Sequence, residues 1–203
     1  MKRSIIDPNR SYTFSDYFEL NIPIDELVAY FGYSRQVQHY TFNKSLVDYS
    51  KFSPLKEQLD ETMMYVDLTS EAARREILIA PILLSLVRHF KMRMQIEYPV
   101  RVSALLKGKL DYFLQRNNNL LIVEAKHEDL TRGFNQLAVE LIALDQWLDD
   151  DPKPLYGSVT VGNAWQFGIL DRLTKQITQD IRLYSIPTEL ETLLQILIAI
   201  LEG

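Results

Sequence analysis

Apolar and polar positions alternate along this chain with two different periods, and the change of period marks the elements. Over "QIEYPVRVS", "KLDYFLQR" and "NLLIVEAK" (residues 95–126) the runs are short and strand-like, with Asn117-Asn118-Asn119 forming the turn between the last two. On either side the period lengthens to that of a helix. "TSEAARREILIAPILLSLVRHF" (residues 69–90) predicts a long helix, capped by Thr69 or Ser70, with Glu71 in its first turn and Ala72, Ala73, Ile79, Ala80, Leu83 and Leu86 on its buried face. Pro81 should kink or divide it. "DLTRGFNQLAVELIALDQWLDD" (residues 129–150) predicts a second, with Phe134, Leu137, Leu141, Leu144 and Leu148 as its stripe and "DPKP" as its end. Upstream, "TFSDYFELNIPIDELVAYFGYS" predicts two short helices, "RQVQHYTF" a strand, and "SPLKEQLDETMM" a helix with Pro54 near its first position. Downstream, "YGSVTVGN", "AWQFGILDR" and "QITQDIRLYSI" predict strands, and an apolar helix runs from Pro187 to about Leu201. Helix, three strands, helix, strands is an α/β pattern around a mixed central sheet flanked by helices. Residues 1–69 read as an N-terminal helical and strand extension packed on that core, and residues 70–203 as the main domain.

Three charges interrupt this pattern. Alternation along a strand puts Glu124 and Lys126 on one face and Ala125 on the other. Asp111 lies thirteen positions before Glu124, on the neighbouring strand, where a short hairpin can bring the two carboxylates together. Adjacent carboxylates repel unless a cation sits between them, and an all-oxygen donor set favours Mg²⁺ or Mn²⁺ over zinc. Lys126 beside them could orient a water or stabilise charge developing on a phosphate. Glu76 has Ala72, Ala73, Ile79, Ala80 and Leu83 as helical neighbours, so it is expected to project from a buried stripe and to need a partner there. Gln136, on the second long helix, could reach a phosphate or a water near the cluster, whereas Glu140 reads as a solvated helix charge.

At these residues the chain resembles the PD-(D/E)XK nuclease superfamily, with its restriction-endonuclease-like fold. The motif of that group is an acid on one strand and Glu-x-Lys on the next, preceded by a helix bearing a Glu; here these are Asp111, Glu124-Ala125-Lys126 and Glu76. "GKLD" (Gly108 to Asp111) matches the Gly-x-x-Asp form of the RecB-like branch, which also carries Gln-x-x-x-Tyr on the following helix; "QLAVE" keeps Gln136 and has Glu140 in place of the Tyr. The resemblance spans about Thr69 to Leu170. It implies a metal-dependent hydrolase of nucleic acid, with DNA the expected substrate. Asp111, Glu124, the Ala125 carbonyl and Glu76 would hold Mg²⁺, and Lys126 and Gln136 would act beside them. The alternative is a nuclease-like binding or regulatory module of a larger defence or repair assembly, without catalysis of its own. A third reading makes the charges a salt-bridge network.

Charge and composition refine this picture only slightly. The formal net charge of −5 argues against a dedicated non-specific DNA coat protein and leaves room for a local basic groove, for which Lys107, Lys109 and Arg116 are candidates. The absence of cysteine excludes disulfides and thiolate metal sites. No apolar run reaches bilayer length, and Asp7, Pro8, Asn9 and Arg10 follow the basic start instead of a leader's apolar stretch, so a cytoplasmic protein with no membrane partner is expected. His127 is expected to be a surface residue, His39 and His89 structural, and Trp147 and Trp165 core. The last helix either caps the core or forms a homodimer contact.

Overall fold

The hairpin predicted around residues 107–125 forms two neighbouring strands of an eight-stranded mixed sheet. A computed structural model describes residues 5–117, 119–126, 129–148 and 152–203. The strands are β1 (Ser34–Gln38), β2 (Arg93–Arg101), β3 (Lys107–Arg116), β4 (Asn119–Ala125), β5 (Leu155–Thr160), β6 (Ala164–Asp171), β7 (Gln176–Asp180) and β8 (Tyr184–Ser185). They lie in the order β1-β7-β6-β5-β4-β3-β2, with β8 on β6. β2, β3 and β4 run antiparallel, and β4 pairs with β5 in parallel. A parallel neighbour needs a crossover, which helix α6 (Leu130–Trp147) supplies. Asn117 sits at φ 54 in the tight turn between β3 and β4, an angle that Asn tolerates. Its neighbour Asn118, and Asp151 at the start of the "DPKP" expected to end α6, lie outside the described residues; α6 ends at Trp147.

Two apolar layers cover the sheet. One packs α1 (Phe14–Glu19), α2 (Ile24–Tyr30) and α6 against Leu110, Phe113 and Ile122. The other packs α3 (Ser53–Thr62), α5 (Ala80–Phe90) and α7 (Leu190–Glu202) against Tyr112, Leu114, Val123 and Ala125. Residues 5–69 therefore enter both layers and add β1 to the sheet edge through a parallel ladder with β7. Asp145 ties this part to the rest: it accepts hydrogen bonds from the Tyr33 hydroxyl at 2.6 Å and from Arg172 Nε at 2.6 Å. All the large apolar side chains of α7, from Leu190 to Leu201, are buried within the one chain. The last helix thus caps the core and has no apolar face left for a homodimer.

The first long helix is divided, as Pro81 requires. Its pieces are α4 (Glu71–Arg74), a π-helical turn at Arg75–Ile79, and α5 with Pro81 at its start. Ser70 is the N-cap, accepting from the Ala73 N–H at 3.1 Å. α6 is buried without interruption from Gly133 to Leu144, because α1 and α2 lie over the face turned away from the sheet. Trp165 is fully buried, but Trp147 is half exposed, since it ends α6 beyond that covered stretch. His39 is exposed, and His89 packs against the rings of Phe52 and Phe90. Among the described residues no helix is long and apolar enough to cross a membrane.

Candidate active site

Lys126 follows directly on β4 and is held there by its backbone N–H, which donates to the Thr160 carbonyl at 2.8 Å. The side chain turns to the same face as Glu124, as the alternation predicts, and its ammonium lies 2.7 Å from Glu124 Oε1. Glu124 is 1% exposed and Lys126 12%, so the pair opens to solvent on the lysine side. The Phe18 ring of α1 sits 4.8 Å from the ammonium. Gly133 lets α6 approach closely: a Cβ there would lie 3.0 Å from Lys126 Cγ and 2.6 Å from Val159 Cγ2.

Asp111 lies beside this pair at a break in the sheet. The β3–β4 ladder stops at Tyr112–Val123, and on the other side the β2–β3 ladder skips the position between Ile96–Tyr112 and Tyr98–Leu110. Glu97, across from Asp111, has φ 54, a left-handed value that is uncommon for a non-glycine residue. The strand turns over at this point: Leu110 and Tyr112, two apart, face opposite apolar layers. The Asp111 carboxylate replaces the missing ladder bond, with Oδ2 accepting the Ala125 N–H at 2.9 Å.

Behind Glu124 lies a second carboxyl. Gln136 Nε2 donates to Glu124 Oε1 at 2.6 Å and to Glu140 Oε1 at 2.8 Å. Glu140 is 1% exposed, so the expected solvated charge is in fact buried. The other oxygens of these three residues, Glu124 Oε2, Gln136 Oε1 and Glu140 Oε2, are buried without a hydrogen-bond partner. Burial, reinforced by the nearby Glu124 charge, pushes the Glu140 carboxyl well above the usual range and so favours its neutral form. Burial and then the charge of Asp111 push Glu124 up to about 7, against the pull of Lys126. Burial favours the neutral amine of Lys126, but the Glu124 carboxylate outweighs it and holds the ammonium charged.

Glu76 does not join them. It is exposed, and the residue that reaches the cluster from that helix is Arg75, whose Nη1 lies 3.5 Å from Asp111 Oδ1. The buried face of the helix runs through Leu78, Ile79, Ile82, Leu83 and Leu86, and Arg75 sits one turn ahead of Ile79 on it. Arg75 precedes these residues by three, four, seven, eight and eleven positions, so it lies at the centre of the stripe and Glu76 at its flank. Of the basic residues expected to draw in a phosphate, Lys109 pairs with Glu97 at 2.6 Å. Arg116 lies over the Phe90 ring at the hairpin turn and donates to the Leu201 carbonyl at 3.0 Å. His127 lies outside the described residues.

The structure therefore brings Asp111, Glu124, Lys126 and Gln136 together, as the spacing predicts, with Glu140 and Arg75 beside them. A signal for Glu140 was present: its neighbours three and four positions away are Gln136, Leu137, Ala143 and Leu144, three of them apolar. Among the described residues no three Asp, Glu or His side chains gather closely enough to cage a metal by themselves, so any cation held here draws on a backbone carbonyl and water as well. The chain has no significant match among protein-family models, curated proteins or solved structures.

Proposed function

We propose that this chain is a metal-dependent phosphodiesterase of nucleic acid, with DNA the expected substrate, working through Asp111, Glu124 and Lys126. One arrangement carries the reading. Lys126 and Gln136 occupy a single oxygen of the buried Glu124 carboxylate, its other oxygen is unpartnered, and Asp111 stands next to it at the break in β3. The helix–hairpin–helix order around the cluster supports a restriction-endonuclease-like core.

The donors fit a hard cation. Asp111, Glu124 Oε2 and the Ala125 carbonyl offer oxygen alone, and Mg²⁺ or Mn²⁺ is commonly held by one or two carboxylates, with water and substrate phosphate completing the shell. Such a cation, when bound, supplies acidity to a coordinated water and polarises the phosphodiester. The chain's own side chains do the rest. Gln136 and Lys126 fix the rotamer of Glu124 and leave Oε2 unpaired. Lys126, seated between Gly133 and Phe18, stands at the solvent side of the pair, where an ammonium can hold a water and offset charge developing on phosphoryl oxygens. Glu76, exposed, leaves the proposed ligand set.

The test is to incubate the purified chain with plasmid, linear and single-stranded DNA, and with RNA, in Mg²⁺ or Mn²⁺. Cleavage that falls about a hundredfold or more in Lys126→Ala supports the proposal. That variant should still fold, because Glu124, with its pKa already near 7, can take up a proton. Absence of cleavage of every substrate, or full activity of Lys126→Ala, contradicts it. One observation favours the second reading, a nuclease-like binding module without catalysis: Asp111 already has a counter-cation in Arg75. Retained nucleic-acid binding with no metal-dependent cleavage would select that reading.

A further inference from the structure

Two cations border the acidic cluster, and they are held very differently. Lys126 is fixed by a 2.7 Å contact to a buried carboxylate, a ring beneath it and a helix backbone against it. Arg75 is not. Its contacts to carboxylates are long, 3.5 Å to Asp111 Oδ1 and 4.0 Å to Glu71 Oε1, where a charge-assisted hydrogen bond is usually 2.7–2.9 Å. Its guanidinium carbon lies 5.3 Å from the centre of the Tyr112 ring, and its side chain is 22% exposed. Tyr112 supports the guanidinium on one side while the group remains within reach of solvent. A guanidinium has five N–H donors in a planar fork that matches two oxygens of a phosphate.

Arg75 begins a π turn (Arg75–Ile79), a kind of turn frequent at functional positions, while Glu76 beside it stays in solvent. Asp111, its partner, sits at the one break in β3, opposite the left-handed Glu97. An arginine only loosely paired with carboxylates thus meets the one carboxylate of the cluster that is not deeply buried.

We infer that Arg75 is the phosphate-binding residue of this site: the backbone phosphodiester of the nucleic acid takes the guanidinium from Asp111, which is thereby freed to bind the cation. This deepens the phosphodiesterase reading and rests on it. Arg75 acts in substrate binding, and Lys126 remains the group at the reacting phosphate.

The experiment measures binding in the Lys126→Ala background, where cleavage is suppressed. A fluorescein-labelled DNA duplex is titrated by anisotropy in Mn²⁺ at several NaCl concentrations, with Arg75→Ala and Arg75→Lys compared to the parent. Removing one charge-assisted contact should weaken binding about tenfold. The slope of log K against log salt should become shallower by about 0.9, the value for one duplex phosphate contact. Arg75→Lys should keep the slope and recover part of the affinity. Mn²⁺ affinity measured without DNA should be unchanged or tighter in Arg75→Ala. Parental affinity and slope in Arg75→Ala would overturn the inference, and so would weakened binding at an unchanged slope, which marks a structural role. If Arg75→Ala does not fold, Arg75→Gln answers the same question. A parent that binds no DNA, and no RNA in a parallel titration, removes the nucleic-acid reading itself; a parent that binds as well as Arg75→Ala removes only the role of Arg75.

Discussion

Glu76 and Glu140 look alike in sequence. Each is a carboxylate on a long helix with apolar residues one turn away on both sides. One ends in solvent and the other is among the most buried polar groups of the chain. Two physical differences separate them. Leu78, Ile79, Ile82, Leu83 and Leu86, the buried residues of the first helix, lie three, four, seven, eight and eleven positions after Arg75, so Arg75 takes the inward position and Glu76 is left at the flank. Glu140 lies on the side of α6 from which Gln136 reaches the Glu124 carboxylate of β4. Apolar neighbours one turn away therefore do not by themselves predict burial; the position relative to the centre of the stripe and the partner across it decide.

The largest effect should come from breaking the buried half of the comparison. Glu140→Leu leaves one hydrogen of the Gln136 amide unpaired in the core and should cost about 1–3 kcal/mol in denaturant unfolding. Its ionisation has a sign that can be checked. A carboxyl whose pKa is raised on folding stabilises fully below its unfolded value, 4.5 here, and that contribution fades as pH rises through the folded value. Metal-free protein should thus melt at progressively lower temperature as pH rises from 4.5 through about 7, as the buried Glu124–Glu140 pair is driven to ionise. Glu140→Gln keeps an acceptor for Gln136 but cannot ionise, so its melting temperature should depend less on pH.

A smaller effect is expected from the packing that seats Lys126. Gly133→Ala places a methyl 2.6 Å from Val159 Cγ2 and 3.0 Å from Lys126 Cγ. Overpacking of this kind costs about 1–3 kcal/mol, less up to about 1 kcal/mol recovered from helix propensity. Because Lys126 must move, cleavage should fall by more than the stability loss explains; a stable variant with full activity would show that the close approach of α6 is not needed. The smallest effect belongs to Glu76. Glu76→Ala should stay within about 0.5 kcal/mol of the parent and keep its activity, and a large loss of activity would return Glu76 to the site.

The hairpin and the gathering of its charges were legible because a strand has a period of two and an Asn-rich turn fixes the register. Glu124 and Lys126 on one face, with Asp111 on the next strand, followed from spacing alone. The remaining features depended on departures from regular geometry or on distant parts of the chain. Glu97 at φ 54 twists β3 so that Asp111 leaves the ladder, and nothing in "QIEYPV" announces it. The burial of Glu140 comes with the Gln136 link to Glu124 on β4, a tertiary contact that the apolar neighbours of Glu140 hint at and do not specify. Aromatic residues near the N-terminus were readable as core, and Tyr12, Phe14 and Tyr17 are buried, but that their layer also encloses the site was not readable.

The central claim is that Asp111 and Glu124 form a seat for a divalent cation beside Lys126. Calorimetric titration of the purified chain with Mn²⁺, paired with melting curves, tests it most directly. The account predicts saturable binding that raises the melting temperature, is lost in Asp111→Asn and in Glu124→Gln, and persists in Glu76→Ala. No saturable binding, or binding that survives in Asp111→Asn, would contradict it.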